Sequence, residues 1–146
     1  MEKSRRKLKA AGILVLMFTI ESIIELVAQF LLTDFNDMAL PEGLPANTWL
    51  IAKIVALAIL IIPMIPSIYV GIKGVKVAND PDYSRAHIVW AVIILILKIF
   101  ELASAVLLTL AGEDPLAMVG YVVLAFIDVI IYINFIKWAK RVYNEF

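Results

Sequence analysis

Four apolar runs, at about 10–32, 49–70, 86–110 and 116–138, each exceed the roughly 20 residues an α-helix needs to cross the hydrocarbon core of a bilayer. In lipid a backbone amide finds no partner outside its own segment, so runs of this kind become helices. Short connections between them, above all 111–115, make successive helices antiparallel neighbours. The expected fold is therefore all-α: an integral membrane four-helix up-down bundle, built as one membrane domain over residues 1–146. Composition agrees: 63% of residues are apolar and 18% charged, against about half and about a quarter in soluble domains. There is no cysteine, which removes disulfides, thiol chemistry and thiolate metal sites.

The charges outside the runs are segregated. Lys3, Arg5, Arg6, Lys7 and Lys9 precede the first run, Lys73, Lys76 and Arg85 lie in the 71–85 connection, and Lys137, Lys140 and Arg141 follow the last run. These eleven basic residues fall on one side of the alternating topology, and none falls in the 33–48 or 111–115 connections, which carry Asp34, Asp37, Glu42, Glu113 and Asp114. The positive-inside rule then expects both termini and the 71–85 loop in the cytoplasm, with the chain multi-pass in the plasma (cytoplasmic) membrane. A basic start before an apolar run also fits a signal peptide. Here the run continues to about Leu32 without a small-x-small cleavage site, which favours an uncleaved first span.

Helix ends have their own chemistry. Asn47 or Thr48 suits the N-cap of the second helix, with Trp49 at headgroup depth. Asp80-Pro81 and Asp114-Pro115 read as N-caps followed by proline at the first helical position, and Gly112 as the end of the third helix. Pro63 and Pro66 lie inside the second run and predict a kink near 59–62. The loop Gly71-Ile72-Lys73-Gly74-Val75-Lys76-Val77-Ala78-Asn79-Asp80-Pro81 resembles one in small, uncharacterised four-span bacterial membrane proteins. That resemblance covers the loop and its flanking spans and implies no activity.

Six ionisable residues fall within the runs: Glu21, Glu25, Lys53, Lys98, Glu101 and Asp128. Such groups are costly in hydrocarbon and mark candidate functional positions. Glu21, Lys98 and Asp128 lie near the midpoints of their runs. At ~1.5 Å rise per residue, Glu101 is roughly 4–5 Å and Glu25 about 6 Å toward the outer face, with Lys53 nearer still to that surface. Lys98 and Glu101 are one turn apart, and Lys98 is level with Glu21 and Asp128, which makes it a candidate hub. Lys53 can reach Glu25 or extend outward to headgroups and water. Tyr121, Ala125, Asp128 and Tyr132 share one helical stripe, so two phenols flank a carboxylate; Gln29 adds a further polar group. Ala52 and Ala56, and Ala103-Ser104-Ala105, are small enough for close helix approach.

Four carboxylates against two lysines leave a negative excess in a medium that tolerates none. Protonated carboxylates, a bound cation, access to water or positive charge from a partner would each relieve it. Simple structural use of hydrogen-bonded, protonated Glu21 and Asp128 stands beside these readings.

No metalloprotease helix, nucleophile elbow, phosphate-binding glycine loop or dinucleotide fingerprint occurs, so neither enzyme activity nor a cofactor or metal is expected. Asp34, Asn36 and Asp37 lack the glycine and distal glutamate of a calcium loop and read as solvated surface. His87 reads as an interfacial helix-start residue, and the basic N-terminus as touching anionic lipid rather than nucleic acid. The leading functional expectation is a non-enzymatic membrane accessory or scaffold protein with a polar and ionic interior. The alternative is a proton- or cation-coupled small transporter or channel subunit. Four helices leave little room for a substrate cavity, so the alternative calls for a homo-oligomer or a partner membrane protein.

Overall fold

With lipid offering the backbone no partner, every apolar run is helical in the computed structural model, which describes residues 2–32, 47–82, 84–112 and 115–145. The helices are α1 (Glu2–Leu32), α2 (Thr48–Ile61), α3 (Ile65–Asn79), α4 (Ala86–Ala111) and α5 (Pro115–Glu145). A 3₁₀ turn, Ile62–Met64, joins α2 to α3, where Pro63 and Pro66 withhold their backbone donors. Four stretches are long and apolar enough to cross a membrane: Glu2–Leu32, Thr48–Asn79, Ala86–Ala111 and Val119–Glu145. By length and composition the chain is a multi-pass membrane protein.

The helices run past the apolar segments at the basic end. Residues 71–79, expected as loop, complete α3, because Gly71 and Gly74 meet packing partners that hold them helical. Asp80 accordingly closes α3 rather than capping α4, whose N-cap is Arg85. Asn47 stands at the N-cap of α2 but makes no side-chain capping bond. Pro115 opens α5 as expected, and Gly112 ends α4, where an added Cβ would meet the Leu108 carbonyl oxygen at 2.6 Å. Asp34, Asn36, Asp37, Glu42, Glu113 and Asp114 lie outside the described residues.

Packing decides the shape. α1 lies along α3 and α5, and α4 along α5 and α3, while α2 touches little beyond α1. All buried residues, among those described, fall within 4–19, 67–94 and 129–142. This is the half that contains the ends of α1 and α5 and the α3–α4 connection. The close approach uses glycines that no sequence pattern singled out. A Cβ on Gly12 would sit 3.0 Å from the Gly71 carbonyl oxygen, and one on Gly71 would sit 2.5 Å from Leu16 Cγ. Gly74 faces the fully buried ring of Phe135. The expected small-residue sites, Ala52, Ala56, Ala103, Ser104 and Ala105, are not buried, because the helix halves that carry them do not close on one another.

Polar ties hold the terminal half at its rim. Arg5 Nε donates to the Ala78 carbonyl at 2.7 Å, and its Nη2 to the Asn79 carbonyl. It thereby serves two of the carbonyls a helix end leaves unpaired. Ser4 Oγ bonds Glu145 Oε1 at 3.1 Å, closing α1 onto the end of α5. Lys73 Nζ meets Asp82 Oδ2 at 2.9 Å and the Ser84 amide donates to Asp82 Oδ1 at 2.8 Å. These bonds, that from Lys73 foremost, hold the Asp82 carboxyl below its ordinary range. Replacing Arg5 by methionine keeps the aliphatic stem and removes both capping bonds, at a cost of about 1–2 kcal/mol. Detergent-unfolding titrations would register that loss, and an unchanged midpoint would show that water caps α3 equally well.

Candidate intramembrane ionic site

Among the described residues the buried core lies in one half, and the other halves of α1, α4 and α5 border a cavity of about 350 Å³. Its walls carry Glu21, Ser22 and Glu25 from α1, Lys98, Glu101 and Ala105 from α4, and Tyr121, Ala125 and Asp128 from α5. Phe18, Met64 and Leu124 complete an apolar surround. The α1 contribution follows helical spacing: Phe18, Glu21, Ser22 and Glu25 fall on one stripe at intervals of three and four.

Within this cavity Lys98 is the hub. Its Nζ lies 3.2 Å from Asp128 Oδ2 on α5 and 3.5 Å from Glu101 Oε2 one turn along α4. The Lys98 and Asp128 side chains keep only 25% and 21% of their surface exposed, whereas Glu101 keeps 63%. Glu21 and Glu25 line the same cavity and are exposed into it, and neither forms an ion pair among the described residues. Lys53 and Gln29 are not among the lining residues. The cavity therefore gathers four carboxylates around one lysine, a sharper imbalance than the whole intramembrane set.

A smaller cavity of about 40 Å³ continues beneath Lys98 and Asp128, bounded by Thr19, Ser22, Ser67 and Tyr132. That is room for water, which needs about 10–15 Å³ and several polar partners. Thr19 Oγ1 donates to the Val15 carbonyl at 2.7 Å and Ser22 Oγ to the Phe18 carbonyl at 2.8 Å. Their protons are thus committed to their own helix, and they offer lone pairs to the cavity. Tyr132, buried, lines this cavity together with Ser67 and Thr19. Below it the core closes around Val15, Val70 and Phe135.

On the flank, a wider apolar groove of about 630 Å³ runs between the upper parts of α4 and α5, bounded by Leu97, Phe100, Ser104, Leu108 and Tyr121. Glu101, Ala105 and Tyr121 border both groove and ionic cavity, so the two are continuous.

The structure brings together Glu21, Glu25, Lys98, Glu101 and Asp128, with Tyr121 at the mouth and Tyr132 at the floor. Thr19 and Ser22 escaped sequence reasoning, although Ser22 lies three residues from Glu25 and four from Phe18, and Thr19 three from Ser22, which carried the signal. Ser67 carried none, since only the crossing of α1 over α3 places it there. His87 stands at the start of α4, as expected, and is buried there, edge-on to Phe135 with ring centroids 6.3 Å apart. Its two ring nitrogens have no hydrogen-bond partner among the described residues. Among the described residues no three His, Cys, Asp or Glu side chains are grouped as a metal site requires. No family model, curated protein or solved structure matches the chain.

Proposed function

We propose that this chain is a non-enzymatic accessory or scaffold subunit of the plasma membrane, folded as an up-down bundle with both termini cytoplasmic. Its ionic cavity receives a lysine or arginine carried by a transmembrane helix of a partner protein. The observation that supports this is the set of four carboxylates around Lys98 in a cavity continuous with the α4–α5 groove. Ionised carboxylates exposed to hydrocarbon are strongly unfavourable, and a basic side chain from a helix seated in the groove supplies the missing charge. Ala105 and Ser104 along the groove leave space for a helix backbone to approach.

A photo-crosslinking residue at position 105, activated in native membranes, tests this reading. The expected product is an adduct to an apolar segment bearing Lys or Arg at matching depth. Glu21→Gln with Glu25→Gln should cut its yield about tenfold or more, as loss of a buried charge pair costs 2–5 kcal/mol. Adducts to lipid alone, or a yield indifferent to both changes, would count against it.

A second reading has one observation in its favour. The cavity descends past the Lys98–Asp128 pair to acceptor-bearing hydroxyls and ends at a closed core. A polar path open on one side and sealed on the other suits a proton- or cation-coupled transporter subunit working as an oligomer. Under this reading, purified protein in liposomes conducts protons or cations, and Asp128→Asn abolishes the flux without unfolding the protein. Silence of the wild type would sink it.

A further inference from the structure

We infer that the seam between α1 and α5 at the terminal end holds the phosphate of an anionic phospholipid, bound by Lys7, Lys137 and Arg141 around Trp138. Lys7 Nζ lies 4.5 Å from the Trp138 ring centroid, Lys137 Nζ 5.1 Å and Arg141 Cζ 5.7 Å. One indole thus gathers three cations from two helices, each close enough to feel the negative face of the ring. Like charges so close repel, and the ring quadrupole offsets only part of that. Among the described residues the carboxylate paired with these cations is Glu145, whose Oε1 lies 3.5 Å from Arg141 Nε and also accepts from Ser4. Lys7 and Lys137 have no ion pair among the described residues. The site is short of negative charge, opposite in sign to the intramembrane cavity and at the other end of the same helices.

What lies next to the cations identifies the anion as a lipid. Helical spacing puts Leu14 on the face of α1 that carries Lys7, and Ile133 and Ile130 on the face of α5 that carries Lys137. All three are exposed, and they descend from the cations into the membrane-spanning length of their helices. A free phosphate or an acidic peptide would use the cations and leave this apolar strip without purpose. A phospholipid covers both, its phosphate among the cations and an acyl chain along the strip. Trp138 then sits at the depth where an indole straddles headgroups and hydrocarbon, and basic pockets between spanning helices are established headgroup sites in membrane proteins generally. The inference is independent of the partner proposed for the ionic cavity and of which side of the membrane the termini face.

The test uses Trp138 as its own reporter. Full-length protein with Trp49→Phe and Trp90→Phe, retaining Trp138, is reconstituted in phosphatidylcholine vesicles containing a small fraction of brominated lipid. The expected result is that brominated phosphatidylglycerol quenches Trp138 as if enriched beside it about tenfold or more over brominated phosphatidylcholine. Lys7→Gln with Lys137→Gln should remove most of this preference, and adding Arg141→Gln should abolish it. Lys7→Glu offers a single-site check should the multiple variants fail to fold, with an expected sharp drop in the same ratio. Equal quenching by the two lipids in the parent would overturn the proposal, as would a preference that survives these substitutions. So would competition by inorganic phosphate, which would mark a general phosphate site rather than a lipid site.

Discussion

Lys98→Met is expected to destabilise the protein by about 3 kcal/mol, near the low end of the range for breaking one side of a buried ion pair. The low end applies because Lys98 and Asp128 retain 25% and 21% of their side-chain exposure. The cost arises less from the lost attraction than from what remains. Asp128 keeps its place in the wall of the cavity with its cation gone, Glu101 loses the same cation, and the lining with Glu21 and Glu25 then holds four carboxylates and no lysine. Pairing the change with Asp128→Leu should recover most of the loss, since an apolar pair in lipid incurs no desolvation penalty. Unfolding by SDS, followed by circular dichroism for the parent, two single variants and the double variant, gives the coupling directly. A coupling near zero would mean that the two side chains are solvated independently despite their 3.2 Å separation.

Gly74→Leu should be nearly as damaging, by about 1–3 kcal/mol, through overpacking alone. A Cβ at this position runs into Phe135 Cε2, in a ring that is fully buried and held edge-on by His87. The ring has no free direction to yield, so α3 must move away from α5. Two comparisons isolate the cause. At Gly120 an added Cβ meets nothing within 4 Å, so Gly120→Leu should be close to neutral. Gly74→Leu combined with Phe135→Ala should be more stable than the sum of the separate losses, because the leucine fills part of the space the ring vacates. Thermal unfolding in detergent orders the variants; additive losses would place the clash elsewhere than on Phe135.

The architecture was legible to different depths at different residues. Span length is a local, additive property of the chain, so the four helices that can cross a membrane and the break at Pro63 and Pro66 could be read directly. The ionic set was legible for a related reason. A charge inside an apolar run is conspicuous, and one helical turn fixes which neighbours share its face, as with Lys98 and Glu101 or Tyr121 and Asp128. The α3–α4 boundary was misread because glycine and lysine look like loop when their packing partners are unknown. Gly71 and Gly74 stay helical because Leu16 and Phe135 press on them.

Residue order therefore established helical content, spanning capacity and the presence of costly charges at mid-depth, each a consequence of hydrophobicity and helical period acting over a few turns. It could not reveal that the buried residues, among those described, would fall in the terminal half. That depends on Gly12 meeting Gly71 and Gly74 meeting Phe135 across long separations in the chain. Close backbone approach in lipid is governed by shape rather than by hydrophobic drive, since acyl chains cover apolar side chains as readily as another helix does. Only the tertiary structure decided that Glu21, Glu25, Glu101 and Asp128 line one cavity with a single lysine, which pairs with the last two, and that Lys53 is not part of that lining.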